Sequence, residues 1–213
     1  MNFHPTPLTT IRAVAFFDGQ NLFHAAKEIF GYTFPNYDPQ KLAQMICGSK
    51  GWQLTETRFY TGVPDMADDQ FWNYFWTTKI AQMRRNKNVY VFSRPLRYRN
   101  RTILCPDGHE YKVLVGEEKG IDVRIAIDAI RLAHKNAYDV ALIYSQDQDL
   151  SEVADEIRTI AQEQNRWIKI ACAFPHNQTQ KHTKRGINKT DWLPLDKLLY
   201  DVCLDPRDYR PKK

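Results

Sequence analysis

Short apolar runs alternate with longer amphipathic stretches along most of this chain. Apolar runs of this length, bounded by turn residues, are typical of strands buried on both faces of a sheet. They predict strands at about Ala13–Phe17, Leu54–Tyr60, Val89–Phe92, Val140–Tyr144 and Ile168–Phe174. The stretches between them predict helices at about Asn21–Phe30, from Asp38 onward, at Asp68–Arg85, at Gly120–Asn136 and at Leu150–Gln164. Alternation of this kind favours an α/β fold, a three-layer α/β/α sandwich with a mostly parallel central sheet.

Two segments interrupt this alternation. Residues of about 94–116 form a basic excursion, and the turn signal Pro106-Asp107-Gly108 predicts a hairpin over Leu96–Val115. Residues of about 176–213 form a C-terminal extension, in which Trp192–Leu204 predicts a short strand and a helix. The length of 213 residues suits one domain better than two, so residues 1–213 are interpreted as a single domain. The aromatic stripe in the helix Asp68–Arg85 is expected to pack into its core.

Composition narrows the class of protein. Hydrophobic residues make up 43% of the chain, yet no apolar run reaches the roughly 18 residues that a membrane span needs. Residues Met1–Arg12 lack the basic leader and apolar core of a signal peptide. The four cysteines are far apart and form no CxxC pair, which is typical of free thiols in a reducing compartment. We therefore expect a cytoplasmic protein with no membrane partner.

Positive charge is concentrated in two stretches, although the net charge is only +5. The first contains no acidic residue and has tyrosines and a phenylalanine interleaved; its members are Arg84, Arg85, Lys87, Arg94, Arg97, Arg99 and Arg101. The second comprises His176, Lys181, His182, Lys184, Arg185 and Lys189. Basic side chains neutralise backbone phosphates and aromatic rings stack on bases, so both stretches are candidate nucleic-acid contacts. A solvated edge that prevents strand pairing is an equally good interpretation.

Four aspartates follow predicted strands or begin a predicted helix. Asp18 follows the first strand, Asp147 and Asp149 follow the strand Val140–Tyr144, and Asp122 begins a helix. Because parallel strands end at a common edge, we expect these side chains to converge there. Clustered carboxylates repel one another, and a hard divalent cation such as Mg²⁺ or Mn²⁺ relieves that repulsion. Such ions activate water in phosphodiester hydrolysis, so the pattern indicates a metal-dependent nuclease.

Each aspartate also has a structural interpretation. Asp149 begins Asp-Leu-Ser-Glu, which matches a helix capping box. Asp122 can stabilise a helix N-terminus, and Asp18 before glycine can be a turn residue. Asp147 has the fewest such roles and is the strongest single candidate. Asp128 lies six residues beyond Asp122, which turns it roughly 120° away around a helix, so a supporting or surface position is favoured over direct ligation.

Three segments resemble the signature blocks of NYN-domain proteins, which are PIN-like nucleases. They are FDGQNLF at Phe17–Phe23, EKGIDVRIAIDAI at Glu118–Ile130 and ALIYSQDQDL at Ala141–Leu150, and they occur in the family's order. The resemblance implies a PIN-like sandwich and a divalent-metal-dependent ribonuclease. It assigns metal and catalytic roles to Asp18, Asp122, Asp147 and Asp149, a polar supporting role to Asn21 and a substrate-phosphate contact to Lys119.

The third block departs from the family pattern at two positions. It commonly reads Ser-Gly-Asp-Ser-Asp, whereas this chain has Gln146 and Gln148. Gln146 lacks the tolerance of glycine for positive φ, so we expect a different loop path and a changed placement of Asp149. Ser145, at the start of the block, and Asp128 are interpreted as supporting residues.

Other activities fit the sequence less well. A haloacid-dehalogenase-like phosphatase would need a carboxylate where this chain has Gln20, and a Toprim-type enzyme would need a glutamate after the first strand. The chain has no GxGxxG or GxxxxGK[ST] motif, and Cys105 and His109 lack a partner pair for zinc. The main alternative is a non-catalytic RNA-binding module or scaffold, although a pure polyanion binder gains nothing from buried negative charge. DNA stays open as a substrate, and a homo-oligomer stays open as the assembly.

Overall fold

The computed structural model describes residues 10–106, 108–177 and 185–212. The strands are β1 (Ile11–Asp18), β2 (Trp52–Val63), β3 (Val89–Pro95), β4 (Arg97–Leu104), β5 (Glu110–Glu117), β6 (Val140–Tyr144), β7 (Lys169–Pro175) and β8 (Asp191–Leu195). The helices are α1 (Gly19–Phe30), α2 (Pro39–Ser49), α3 (Gln70–Met83), α4 (Ile121–His134), α5 (Ser151–Glu163) and α6 (Lys197–Val202), with a 3₁₀ helix at Gln148–Leu150. Each predicted strand and helix is confirmed.

The central sheet is parallel throughout. Six strands of the described chain form it, in the order β3-β2-β1-β6-β7-β8. The two central strands, β1 and β6, contain the buried apolar runs Ala13–Phe17 and Val140–Tyr144. Strands β1 to β3 extend the sheet on one side and β6 to β8 on the other, so the strand order reverses between β1 and β6. In open α/β sheets, ligands bind at such a reversal, beyond the carboxyl ends of the strands.

Helices cover both faces of the sheet. One face packs against α1, α2, α3 and α6, with Leu22, Leu42 and Phe75 in the shared core. The other face packs against α4 and α5 through Ile125 and Ile157. The two separate cores give the predicted three-layer α/β/α sandwich with a mostly parallel sheet. No helix in the described ranges is both long enough and apolar enough to span a bilayer.

The aromatic stripe of α3 is only partly core, because a helix on the surface of a sandwich has one buried side. Phe75 and Trp76 are buried, as expected. Phe71 and Tyr74 are 41% and 49% exposed, so the prediction was wrong for these two rings. Trp72 is half-buried at the margin, and its indole packs edge-on against the ring of Phe75.

The basic excursion is a hairpin, as predicted. Strands β4 and β5 pair antiparallel and form a two-stranded sheet apart from the central one. At its tip, the Cys105 N–H donates to the His109 carbonyl at 2.9 Å, and Gly108 has φ of 84°, which glycine tolerates without strain. Asp107, the central residue of the predicted turn, lies outside the described residues.

The C-terminal extension packs against α3 through a buried lysine. The predicted strand and helix are present as β8 and α6. Lys79 Nζ donates to the Tyr37 carbonyl at 2.8 Å and lies 3.4 Å from Asp205 Oδ2. The hydroxyl of Tyr209 donates to the same carboxylate oxygen at 2.6 Å. Because the buried ammonium has both a carboxylate and a carbonyl partner, its burial is compensated.

Candidate active site

Asp18 is the last residue of β1 and caps the following helix. Its Oδ1 accepts a hydrogen bond from the Asn21 backbone N–H at 3.1 Å, which makes it the N-cap of α1. Its Oδ2 accepts from the Ser145 hydroxyl at 3.3 Å. Ser145 follows β6 directly, and Phe17 and Tyr144 are partners in the register of β1 and β6. The parallel pairing therefore brings the two strand ends together, as the sequence predicted.

Asp147, rather than Asp149, has the capping role in the loop after β6. Its Oδ1 accepts from the Asp149 backbone N–H at 3.0 Å, and it is the N-cap of the 3₁₀ helix. The cap position of α5 is Leu150, which makes no side-chain capping bond. The predicted capping box at Asp149 was therefore wrong, because a 3₁₀ turn separates it from the α-helix. Asp149 is exposed, whereas Asp147 is half-buried.

A further carboxylate, that of Glu118, joins this edge of the sheet. It follows β5, and its Oε1 accepts a hydrogen bond from the Gly62 N–H at the carboxyl end of β2. Asp122 lies in the first turn of α4, which has Gly120 as its N-cap. Glu118 belongs to the second signature block, but its inward orientation depends on the contact with Gly62. That contact spans 56 residues, so sequence reasoning missed it.

These carboxylates influence one another electrostatically. Burial raises the pKa of Asp18 to about 6; the charges of Asp147 and Asp122 add to the rise, while the Asn21 and Ser145 hydrogen bonds oppose it. Burial also raises the pKa of Glu118 to about 8, with further increases from the charges of Asp18 and Asp122. Four carboxylates thus lie within electrostatic reach, and two of them are destabilised as anions.

Oxygen donors of this kind suit a hard divalent cation such as Mg²⁺ or Mn²⁺. Burial of Asp18 among like charges creates the repulsion that such a cation relieves. Within the described residues, no three histidine, cysteine, aspartate or glutamate side chains converge closely enough to hold an ion. Asp18 and Asp147 each direct one oxygen to a backbone N–H. The donor chemistry therefore fits a metal, while the side chains are arranged as caps.

Asn21 and Ser145 connect the two aspartate-bearing loops. The Asn21 side-chain oxygen accepts from the Gln146 backbone N–H at 2.9 Å. The Ser145 hydroxyl donates to Asp18 and accepts from the Asp147 N–H at 3.2 Å. Both side chains therefore lie between α1 and the loop after β6, and their supporting role in a site stays a prediction.

The two glutamines of the third block attach this loop to the segment after β7. Gln146 Nε2 donates to the Arg185 carbonyl at 3.2 Å. Gln148 Nε2 donates to the Gly186 carbonyl at 3.1 Å, and Gln148 Oε1 accepts from the Asn188 N–H at 3.1 Å. Shorter side chains at these positions would not make these contacts. The departure from the family pattern thus has a structural role.

Basic groups lie next to the N-terminus of α4. A Cβ atom on Gly120 would lie 2.8 Å from Arg94 Nη1, so the guanidinium passes close to this turn. Arg94 also lies over the ring of Phe92, 5.3 Å from its centroid. Lys119 is exposed and falls between Glu118 and Gly120. Positive charge at these two positions is therefore available beside Asp122 and Glu118.

The arginines of the hairpin have an acidic partner that the sequence did not suggest. Alternation along β4 puts Arg97, Arg99 and Arg101 on one face of the hairpin. The antiparallel register pairs Arg97 with Glu117 of β5, so Glu117 lies on the same face. Arg101 Nη2 lies 2.6 Å from Glu117 Oε1, and Arg99 Nε lies 3.9 Å from Oε2. The expectation of an arginine cluster without acidic partners was therefore wrong for Arg99 and Arg101.

The second basic stretch is described only in part. Lys181, His182 and Lys184 lie outside the described residues. Lys189 forms an ion pair with Asp155 and lies 3.7 Å from Glu152, both on α5. This lysine is thus engaged with α5.

Asp128 is buried rather than on the surface, so that part of its prediction was wrong. Its carboxylate lies 3.2 Å from Arg58, 3.0 Å from Arg124 and 3.2 Å from Arg131. The Tyr60 hydroxyl also donates to it at 3.0 Å. Three arginines compensate the burial of one carboxylate, which accounts for a charged residue with no exposure.

Comparison with known proteins gave a family and a similar fold. The model of the NYN domain matches residues 12–185. A solved structure of a protein of unknown function from Vibrio parahaemolyticus matches with a TM-score of 0.50 and 17% identity, covering 88% of this chain and 94% of that one. Comparison with curated proteins gave no match. The structural likeness concerns the fold alone and agrees with a PIN-like α/β/α sandwich.

Proposed function

Because this chain belongs to the NYN-domain family, a PIN-like nuclease family, we propose that it is a divalent-metal-dependent ribonuclease. Membership by itself suggests a nuclease-like function. The observation that carries the finer proposal is the cluster of Asp18, Asp122, Asp147 and Glu118 at the reversal of strand order. A cluster of anions in this position serves a cation and a phosphodiester better than it serves the stability of the fold.

The proposed roles follow from the contacts. Asp18, Asp122 and Asp147 would hold Mg²⁺ or Mn²⁺, with Asp149 as an exposed fourth ligand. When bound, such an ion supplies water activation and stabilisation of the leaving oxygen. Asn21 and Ser145 keep the aspartate-bearing loops together through the 2.9 Å and 3.3 Å hydrogen bonds.

The basic groups next to the carboxylates would contact the substrate. Lys119 and Arg94 would contact the phosphate at the site, and Arg97 and Arg99 of the hairpin would contact neighbouring phosphates. Such contacts orient the RNA backbone and offset the negative charge of the site.

The second candidate function is a non-catalytic RNA-binding module. It is favoured by one observation: the described carboxylates do not converge on a point that could hold an ion. The two proposals make different predictions about metal. Cleavage by the enzyme depends on metal, whereas the module binds RNA equally well with or without it.

Labelled single-stranded RNA tests the two proposals, with labelled DNA in parallel. We expect cleavage with Mn²⁺ or Mg²⁺ and none in EDTA. Asp147→Asn should slow cleavage by about 100-fold or more, roughly 3 kcal/mol of transition-state stabilisation, and keep the fold because asparagine also caps. Asp191→Asn, on an exposed strand far along the sheet, is the matched control. Binding without cleavage in every metal would reject the enzyme and favour the module.

A further inference from the structure

A groove lies between α1, α3 and the hairpin, with a volume of about 440 Å³. This volume is within the range of roughly 300–1,000 Å³ that small-molecule sites occupy. Its lining includes three half-buried aromatic side chains, Phe23 of α1, Trp72 of α3 and Tyr98 of β4, together with the buried Trp76 of α3. The rings of Phe23 and Trp72 have centroids 6.1 Å apart. Aromatic surface is thus concentrated in one concave place.

The groove lies next to the carboxylate cluster, to which two hydrogen bonds through Gly62 connect it. Gln20, which lines it, donates through Nε2 to the Gly62 carbonyl at 3.3 Å. The N–H of the same Gly62 donates to Glu118. Gly116, another lining residue, precedes Glu118 by two positions on the strand that leaves the hairpin. A polymer bound at the carboxylates therefore has the groove next to it.

The groove is lined by polar groups of both kinds: Lys27 and His24 of α1, which suit a phosphate, and Asp68 and Asp69, which suit a base. The side of the groove formed by Tyr98 is the one on which the two carboxylates act. Asp68 and Asp69 line it and would repel a phosphate, but carboxylates accept hydrogen bonds from the amino groups of bases. Burial, and then the charges of Asp68 and Asp69, raise the pKa of the Tyr98 phenol, so both carboxylates act on this ring. Arg97 and Arg99 flank Tyr98 on β4, so their side chains lie on the other face of the hairpin. That face offers phosphates a separate basic surface.

We propose that this groove stacks one unpaired base of the RNA next to the bond that is cut, with the base amino group directed to Asp68. The inference rests on the proposed function for its substrate and extends it to single-stranded RNA at one defined nucleotide. Adenine, guanine and cytosine carry such an amino group, whereas uracil does not. A base held in a duplex cannot enter, because its face is covered by its neighbours.

An abasic scan of the RNA tests the proposal on the wild-type protein. Binding is measured by fluorescence anisotropy in EDTA, with one base removed at a time along a short single strand. Removal at a single position should weaken binding about 5- to 150-fold, the change that corresponds to loss of one stacked base. Uracil at that position should bind more weakly than cytosine. A scan with equal affinity at all positions would overturn the proposal.

Variants of the groove give the second arm. Tyr98→Ala should weaken the binding of intact RNA. It should also remove the effect of the abasic position, because the substitution and the missing base delete the same stacking contact. Tyr98→Phe should retain both. Tyr111→Ala is the matched control, an exposed tyrosine on the other strand of the hairpin that does not line the groove. Equal effects of Tyr98→Ala and Tyr111→Ala would contradict the proposal.

The two proposals fail separately. A single sensitive position without cleavage in any metal would support the groove and reject the nuclease. Metal-dependent cleavage, together with equal affinity for every abasic RNA, would support the nuclease proposal and reject the base-stacking groove.

Discussion

The side chain of Gln148 makes two hydrogen bonds to one short segment, donating to the Gly186 carbonyl and accepting from the Asn188 N–H, both at 3.1 Å. Gln148 lies between the two aspartates of the third block, so this contact couples the loop of Asp147 to the chain that follows β7. The same segment continues through Ile187, whose N–H lies 3.3 Å from the buried Cys172 Sγ. The glutamine therefore connects the candidate site to a fixed part of the core.

Gln148→Ser restores the residue that is common in the family and removes both bonds. We expect a loss of about 1–2 kcal/mol in the free energy of unfolding, since a net hydrogen bond contributes about 1 kcal/mol. The cleavage rate should fall as well, because the loop of Asp147 loses its outer support. Urea unfolding and single-turnover kinetics measure the two effects. Gln53→Ser, at an exposed position of β2, is the control, and equal stability of the two variants would contradict the prediction.

Asp149→Ala separates capping from ligation. Asp149 is exposed, and α5 has no side-chain cap, so this substitution should change the free energy of unfolding by less than about 0.5 kcal/mol. Thermal unfolding measures that change. If the carboxylate is a ligand, turnover at saturating metal drops in Asp149→Ala and also in Asp149→Ser. Full activity of both variants would remove Asp149 from the site, and a loss near 1 kcal/mol would restore the capping role.

The salt dependence of RNA binding tests the hairpin arginines. Each phosphate contact in a single strand contributes about 0.7 to the log–log salt slope, so replacing Arg97 and Arg99 with alanine should lower it by roughly 1.4. Affinity should fall for all sequences, while the rate at saturating RNA changes much less. An unchanged slope would leave the hairpin without a substrate role.

Glu117→Gln is the converse experiment. Glu117 pairs with Arg101 and approaches Arg99, so its neutralisation releases positive charge on the same face. We expect RNA binding to strengthen about two- to fivefold, the scale of an exposed ion pair. Titration at two salt concentrations checks this, with Glu110→Gln at the far end of the hairpin as control. Weaker binding of Glu117→Gln would show that the pair orders the hairpin instead.

The stability of the protein in acid should depend on Asp139. Its Oδ2 accepts from the Arg12 N–H at 2.8 Å and from Arg12 Nε at 3.0 Å. Burial pushes the pKa of this carboxyl upward, but the Arg12 side-chain and backbone hydrogen bonds outweigh it, and the pKa lies below its ordinary value. A lowered folded-state pKa means that the stabilisation is present above the unfolded pKa of about 3.9 and is lost as pH falls below it.

Asp139→Asn should therefore lower the free energy of unfolding by about 1–3 kcal/mol at neutral pH and by progressively less in acid. Urea unfolding at several pH values measures the difference between variant and wild type. Asp155→Asn, an exposed carboxylate on α5, is the control and should show little change at any pH. A difference that stays constant down to pH 3 would contradict the assigned ion pair.

The order of strands and helices followed from the sequence because both patterns are local. The buried runs at Ala13–Phe17 and Val140–Tyr144 predicted central strands, and their ends placed Asp18 and Asp147 at a common edge. The position of Glu118 did not follow, because the side chain is turned inward by the Gly62 N–H on a strand 56 residues earlier. Local pattern carries no information about that pairing.

The sequence by itself determined the α/β order, the family and the edge at which the acidic residues collect. Only the tertiary structure decided which hydrogen-bond or ion-pair partner each carboxylate has, since that depends on the groups that neighbouring elements bring close. Asp147 became a cap through a 3₁₀ turn, Asp128 was buried among three arginines, and Glu117 paired with Arg101 on one face of the hairpin. Hydrophobic periodicity fixes the face on which a residue lies, whereas charged side chains take their partners from whatever the fold brings within about 4 Å.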